Sequence, residues 1–296
     1  MTEKDFKGGA IKLHPLHRWW HKKFRRGRIG AALEVDWNKG YDVRNIIGDI
    51  KIKNQGSNYS CSGQAGSYFL EIQRRLQNIK ETPCSAKSIY APIAYSGGGT
   101  TVSSLMSQIC AHGANLEASV PSYDAYGNPL PEYLMTEKSW MTPDTIEDAE
   151  NRAGYIPIDC KETIDDVAST IQQCGACLWE IEGQNNGTWT SVMPQPPSKN
   201  NPNEIWRHFQ CLIGFQLLNG EKTIISLQSE GEGWGNKGIQ MFQSNYFDSG
   251  HIVDAFSFLY DPKVIPNSDN QSVWAWLWRW FMFWRNGVVS RVGGLN

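Results

Sequence analysis

The sequence predicts an α+β protein in two lobes, on three observations. Helical periodicity is concentrated in the first half, short apolar or β-branched segments fill the second, and a tight turn signal joins two of those segments. Ala65, Phe69, Ile72, Leu76 and Ile79 recur at helical spacing, which predicts a helix over residues 61–80 with Ser60 available to cap it. Leu105 to His112 reads as a shorter helix stopped by Gly113. Ile164 to Cys174 reads as a third, with Asp165 and Asp166 in its first turn, where the helix dipole favours acids. From there Ala176 to Ile181, Phe209 to Leu218, Lys222 to Leu227 and Gly238 to Phe242 read as strands. Asn219-Gly220 suits a two-residue hairpin turn between the middle pair.

Composition bounds the function classes. Of 296 residues, 40% are hydrophobic and 20% charged, as in an ordinary globular protein. A net charge of -2 excludes a molecule that binds polyanions over its whole surface. The charge is uneven, however, and three stretches are expected. Residues 1–33 form a basic arm: Lys12 to Arg28 holds seven Lys/Arg and no acid, with Trp19 and Trp20 embedded, a pattern that suits either a solvated tail or contact with an anionic partner such as lipid or nucleic acid. Residues 34–262 carry the helix and strand signals. Residues 263–296 form a Trp-rich tail.

That tail has Trp274, Trp276, Trp278, Trp280 and Trp284 within Val273 to Trp284. It is too short, and too interrupted by Arg279, to span a bilayer. A partner groove or a membrane surface is its expected contact. No apolar signal core follows Met1, so an intracellular site, or a place in a larger assembly such as a virus or phage particle, is expected. Seven scattered cysteines with a single CxxC (Cys174 to Cys177) do not make a disulfide scaffold or a zinc site. The pair reads as small residues entering a buried strand, and neither a metal nor an organic cofactor is expected.

The most informative segment is Lys53-Asn-Gln-Gly-Ser-Asn-Tyr-Ser-Cys61. It sets a cysteine in the first turn of a helix, six residues after a glutamine. A helix N-terminus stabilises a thiolate, the form that attacks a carbonyl, and a neighbouring imidazolium lowers the thiol pKa further. A glutamine amide and the cysteine backbone N–H are suitable donors for the oxyanion of a tetrahedral intermediate.

Here the chain resembles the papain-like cysteine peptidase family. Asp36-Trp37, Ile52-Lys-Asn-Gln-Gly-Ser57 and Cys61-Ser-Gly63 resemble the family's opening motifs, with the glutamine-to-cysteine interval kept. In the same order follow Gly97-Gly98-Gly99, where the family has a cleft-lining Gly-Gly, and Gly113 to Glu117 with Pro121 and Tyr123. Arg207-His208-Phe209 to Phe215 then resembles the histidine strand, and Gln228-Ser-Glu-Gly-Glu-Gly-Trp-Gly235 the final signature. The resemblance covers roughly residues 34–262. It implies a helical lobe (34–155) and an antiparallel, barrel-like β lobe (156–262) with the active-site cleft between them.

By resemblance Cys61 is the nucleophile, His208 the base and then acid, Gln55 the oxyanion donor, and Gly97, Gly98 and Gly99 line the substrate edge. Gln228 stands where the family has an orienting asparagine, and its extra methylene implies a loosened base. Asn58 replaces a half-cystine, Ser62 a tryptophan after the nucleophile, and Glu230 a tryptophan that shields the orienting residue. Ser62 and Glu230 are therefore expected to modulate the site, giving a wetter, more acidic surround that raises the His208 pKa. No long inhibitory pro-segment is expected before Asp36. Strand alternation sets Cys211 on the face opposite His208, which predicts a packing role; His112 and His251 lack such context and read as structural or exposed. The expected reaction is hydrolysis of peptide or isopeptide bonds through a Cys61 thioester. The rival is a structural or adaptor protein on a dead peptidase scaffold.

Overall fold

The computed structural model describes residues 8–11, 34–80, 83–198, 200 and 204–260. The basic run from Lys12 to Arg28 and the five tail tryptophans lie outside the described residues.

Six helices come before or between the first strands: α1 (Arg44–Ile47), α2 (Cys61–Leu76), α3 (Ala86–Ile93), α4 (Val102–Ala111), α5 (Glu132–Met135) and α6 (Pro143–Glu150). Two more, α7 (Ile164–Cys174) and α8 (Ser244–Asp248), sit among the strands. The strands are β1 (Tyr41–Asp42), β2 (Tyr155–Cys160), β3 (Cys177–Gln184), β4 (Ile205–Leu218), β5 (Glu221–Leu227), β6 (Ile239–Gln243) and β7 (Ile252–Tyr260). They make one antiparallel sheet in the order β2-β7-β3-β4-β5-β6, with β1 added to β4. This is the α+β arrangement expected from the sequence.

Local chemistry sets the boundaries. The helix expected to run to Lys80 stops at Leu76 because Asn78 turns left-handed (φ 61°). The Asn78 N–H then bonds the Arg75 carbonyl and the Ile79 N–H the Arg74 carbonyl, closing the helix end with its carbonyls satisfied. Ser60 does precede the helix, but its hydroxyl donates to Asn58 Oδ1 at 2.5 Å and does not cap. Helix α7 has the expected bounds, started by the Thr163 hydroxyl on the Asp166 N–H and ended by left-handed Gly175. Asn219 and Gly220 both have positive φ (53° and 82°) and join β4 to β5 as a tight hairpin.

Three elements escape the sequence pattern. Strand β7 is buried at seven successive positions, so no alternation marks it. Strand β2 contains Pro157 and is tolerated at the sheet edge. Helix α3 holds Pro92 near its end.

Strand β4 separates two cores. Phe209, Cys211 and Ile213 pack with Cys61, Tyr68, Phe69 and Ile72 of α2, whereas Trp206, Leu212 and Phe215 join Trp179, Trp189 and Phe242 on the other face. A bulge between Leu212 and Gly214 resets the alternation. Cys211 thus lies on the face opposite His208, as the pleat requires. Among all seven cysteines none is bridged, and six of them are buried.

A buried ion pair ties the segment before Cys61 to α2. Lys53 Nζ lies 2.6 Å from Glu71 Oε1, with side-chain exposures of 7% and 2%. Glu71 also accepts from the Cys84 N–H at 2.9 Å. Burial pulls the Lys53 pKa down, but Glu71 more than offsets this and leaves it raised. Removing one partner strands a charge away from water. Glu71→Gln is expected to cost roughly 3–5 kcal/mol in denaturant unfolding, while Lys53→Met with Glu71→Leu costs far less.

Candidate active site

Cys61 opens α2 and is fully buried. The nearby backbone N–H groups of Phe209, Gly9 and Ser62 favour the thiolate. Burial outweighs them and, with the nearby Glu230 carboxylate, pushes the thiol up to about 12. In this conformation the helix terminus alone does not ionise the sulfur.

His208 lies on β4, one residue before Phe209, and it too is fully buried. Burial pulls its pKa down to about 3, opposed by the Gln228 side chain nearby, which favours the protonated ring. Trp189 and Trp206 stand edge-on to the imidazole, with centroids 6.0 and 6.2 Å away. The expectation of a wetter surround and a raised His208 pKa is therefore corrected: two tryptophans from elsewhere in the chain dry the site. Trp206 was readable as a neighbour, since it sits two positions before His208 and shares its face. Trp189, in the loop after β3, carries no local signal.

Gln228 is not loose. Its amide N–H donates to Gln240 Oε1, and Gln240 in turn donates to the Ser191 carbonyl at 3.1 Å and to the Trp189 carbonyl. Gln210 joins the same network, donating to Gln240 at 3.3 Å and accepting from Trp179 Nε1 at 2.9 Å. The added methylene relative to asparagine is absorbed by this buried amide chain. The Gln228 carbonyl also accepts from the Tyr68 hydroxyl at 2.9 Å, which itself accepts from the Lys53 N–H at 2.5 Å. One hydroxyl on α2 thus fixes both segments that frame the site.

Gln55 is buried, with its side-chain oxygen accepting from Ser229 Oγ at 2.7 Å and its Nε2 donating to the Asn58 carbonyl at 3.0 Å. An amide has two N–H donors, so one is committed to the loop. The Gln55 N–H bonds the Ser229 carbonyl at 2.6 Å, and the Gly231 N–H bonds the Lys53 carbonyl at 3.0 Å. The glutamine loop and the Gln228–Gly231 segment are therefore laced together by backbone. Asn58 ties its loop by hydrogen bonds, donating to the Leu130 carbonyl at 2.8 Å and accepting from the Ser60 N–H at 3.0 Å.

Ser62 is fully buried behind Cys61. Glu230 is 7% exposed, and burial raises its carboxyl to about 8, so it is largely neutral at neutral pH. Gly97, Gly98 and Gly99 all have positive φ (96°, 91° and 78°). A Cβ on Gly98 would fall 2.4 Å from the Tyr59 ring, whereas Gly97 faces open space. Glu132 couples this edge to the cysteine loop: it accepts from the Tyr59 N–H and from the Tyr90 hydroxyl, each at 2.7 Å, and Tyr90 accepts from the Gly99 N–H at 2.6 Å. The sequence offered no hint of that relay.

The two other histidines among the described residues lie elsewhere. His112 pairs with Glu150 at 3.6 Å near the surface, and His251 with Glu182 at 3.0 Å. Glu182 also holds Arg207 at 3.0 Å, and Glu180 holds it at 3.2 Å, which anchors the residue before His208. Among the described residues no cluster of three His, Cys, Asp or Glu side chains is arranged to hold a metal, and no helix is long and apolar enough to cross a membrane.

No family model and no curated protein matches the chain. Solved structures do. Xylellain, a cysteine protease from Xylella fastidiosa, superposes with a TM-score of 0.65 at 15% identity, covering 86% of this chain and 96% of its own. Digestive procathepsin L 3 of Tenebrio molitor larval midgut gives 0.62 at 18% identity, covering 87% and 79%. A ragweed pollen allergen, a cysteine protease in its proform, gives 0.60 at 16% identity, covering 88% and 77%. At such identities the likeness is one of architecture: the chain has the papain-like cysteine protease fold.

Proposed function

We propose that the protein is a cysteine-type endopeptidase that hydrolyses peptide or isopeptide bonds through a thioester on Cys61. The observation that carries this reading is the shared core of Cys61, at the start of α2, and Phe209 of β4, because Phe209 directly follows His208 in the chain. In the proposed cycle neutral His208 takes the thiol proton, and the sulfur attacks the substrate carbonyl carbon. The second Gln55 N–H and the Cys61 backbone N–H receive the oxyanion. His208 then protonates the leaving amine, the C–N bond breaks, and water hydrolyses the thioester with His208 again as base. Gln228, held by Gln240, orients the ring. The fold, the buried helix-terminal cysteine and the glutamine loop support the same reading.

A second reading is an inactive papain-fold protein that serves as an adaptor in an assembly. One observation favours it: sulfur and imidazole are both dry and both uncharged at neutral pH, the thiol because burial raises it and the ring because burial lowers it. The two readings separate in a labelling experiment. With a peptide-like electrophile, Cys61 is expected to react faster than the other six cysteines, and His208→Ala is expected to cut that rate by about 10²–10⁴-fold, the usual contribution of a general base. Equal labelling of all the cysteines, unchanged by His208→Ala, supports the adaptor.

The pH dependence follows from the signs. A thiol raised to about 12 stays protonated through the neutral range, and an imidazole lowered to about 3 stays neutral there. Alkylation of Cys61 in the intact chain should thus climb about tenfold per pH unit across that range, without an acid-side plateau. A plateau beginning below pH 7 would indicate a stable thiolate–imidazolium pair.

A further inference from the structure

Residues Gly8 to Ile11 lie across the candidate cleft. The Ala10 N–H donates to the Arg207 carbonyl at 3.2 Å, the Ile11 N–H to the Thr100 carbonyl at 2.8 Å, and the Gly9 carbonyl accepts from the Thr100 N–H at 3.0 Å. Ala10 and Thr100 pair in parallel. The segment is thus bonded on one side to the end of the glycine loop and on the other to the residue before His208.

The passage has no room for side chains beside the sulfur. A Cβ on Gly9 would fall 2.1 Å from the Tyr59 carbonyl oxygen and 3.0 Å from Cys61 Sγ. A Cβ on Gly8, where φ is +61°, would fall 2.0 Å from the Arg207 carbonyl oxygen. On the far wall a Cβ on Gly99 would fall 2.6 Å from the Gly9 carbonyl oxygen. These obstacles are backbone atoms on walls held by β4 and by the Glu132–Tyr90–Gly99 relay, so they do not swing aside as a flexible side chain would. Ala10 and Ile11, immediately after, carry side chains without such conflict, and Ala10 packs on the core beneath.

We propose that this cleft is a binding passage for extended peptide with two consecutive glycines, and that the chain's own Gly8-Gly9 fills it and shields Cys61. The pose explains why the segment shields without being cut. Gly9 lies against the sulfur, while its carbonyl is bonded to the Thr100 N–H, so the peptide is held by the glycine loop and is not presented to the sulfur for attack. The strap also supplies part of the burial that keeps the thiol protonated. Displacing it admits both water and a substrate strand. This inference rests on the reading of Cys61 as nucleophile.

The test uses the full chain. Alkylation by iodoacetamide is followed by mass spectrometry at each cysteine in the parent, in Gly9→Leu, and in Ala10→Pro, which removes the Ala10 donor without adding bulk at the sulfur. Thermal melting of each variant confirms that the fold persists. The inference predicts that Cys61 labels at least about tenfold faster in both variants, the effect of losing roughly 1.4 kcal/mol of strap binding, with the other cysteines unchanged. A synthetic peptide spanning Phe6 to Lys12 should then protect Cys61 in Gly9→Leu, and the same peptide with alanine at both glycines should not. Selective Cys61 labelling at the parent rate in both variants overturns the strap, and equal protection by both peptides overturns the diglycine requirement. Cys61 reacting no faster than the other cysteines in parent and variants alike would instead overturn the nucleophile reading beneath it.

Discussion

The site depends on one contact: the first turn of α2 against the backbone of β4. Cys61 is buried where α2 packs on Phe209, Cys211 and Ile213 of β4. Because side chains alternate along a strand, β4 sends Phe209 into the core that holds Cys61 and His208 toward Trp189 and Trp206 on its other face. The bulge beyond Leu212 lets β4 serve this contact and still send Phe215 into the second core, where it packs on Trp37 at 5.1 Å.

Around that contact, buried polar groups replace features that the resemblance had led one to expect. Asn58 ties the loop before Cys61 to Leu130 and Ser60 by hydrogen bonds. The Gln228–Gln240–Gln210 chain holds the orienting amide, at the cost of burying three glutamines whose donors and acceptors must then serve one another. Trp189 and Trp206 exclude water from His208, a task that Glu230 at its own position does not perform. Dryness has an electrostatic consequence. It raises the thiol and the Glu230 carboxyl and lowers the imidazole, so all three tend to neutrality together. A charge-separated pair is disfavoured until the cleft opens, which makes the closed chain a resting form under the proposed function.

Much of this was legible in the sequence where the signal is local. The spacing of Ala65, Phe69 and Ile72 marks α2, Asp165 and Asp166 mark the start of α7, and Asn219-Gly220 marks the hairpin. The Gln55-to-Cys61 interval and the Arg207-His208-Phe209 run point to the site because each is a contiguous piece of chemistry. What was illegible is non-local or without period. Strand β7 is buried on both faces and shows no alternation. Of the tryptophans around His208, Trp206 follows from strand alternation, whereas Trp189 comes from a loop with no motif of its own. The Tyr68 hydroxyl that bridges Lys53 and Gln228 looks, in sequence, like one more apolar residue of a helix face. Gly8-Gly9 carries no signal in the sequence, and only the carbonyls of Tyr59 and Arg207 give those two glycines a reason.

The central claim is that His208 acts on the Cys61 sulfur. Its most direct test is the pH profile of Cys61 alkylation in chains opened by Gly9→Leu, with His208 present and with His208→Ala. The account predicts that opening the cleft lowers the apparent thiol pKa and brings out an acid-side plateau only when the imidazole is there. Superimposable profiles for the two chains would contradict it.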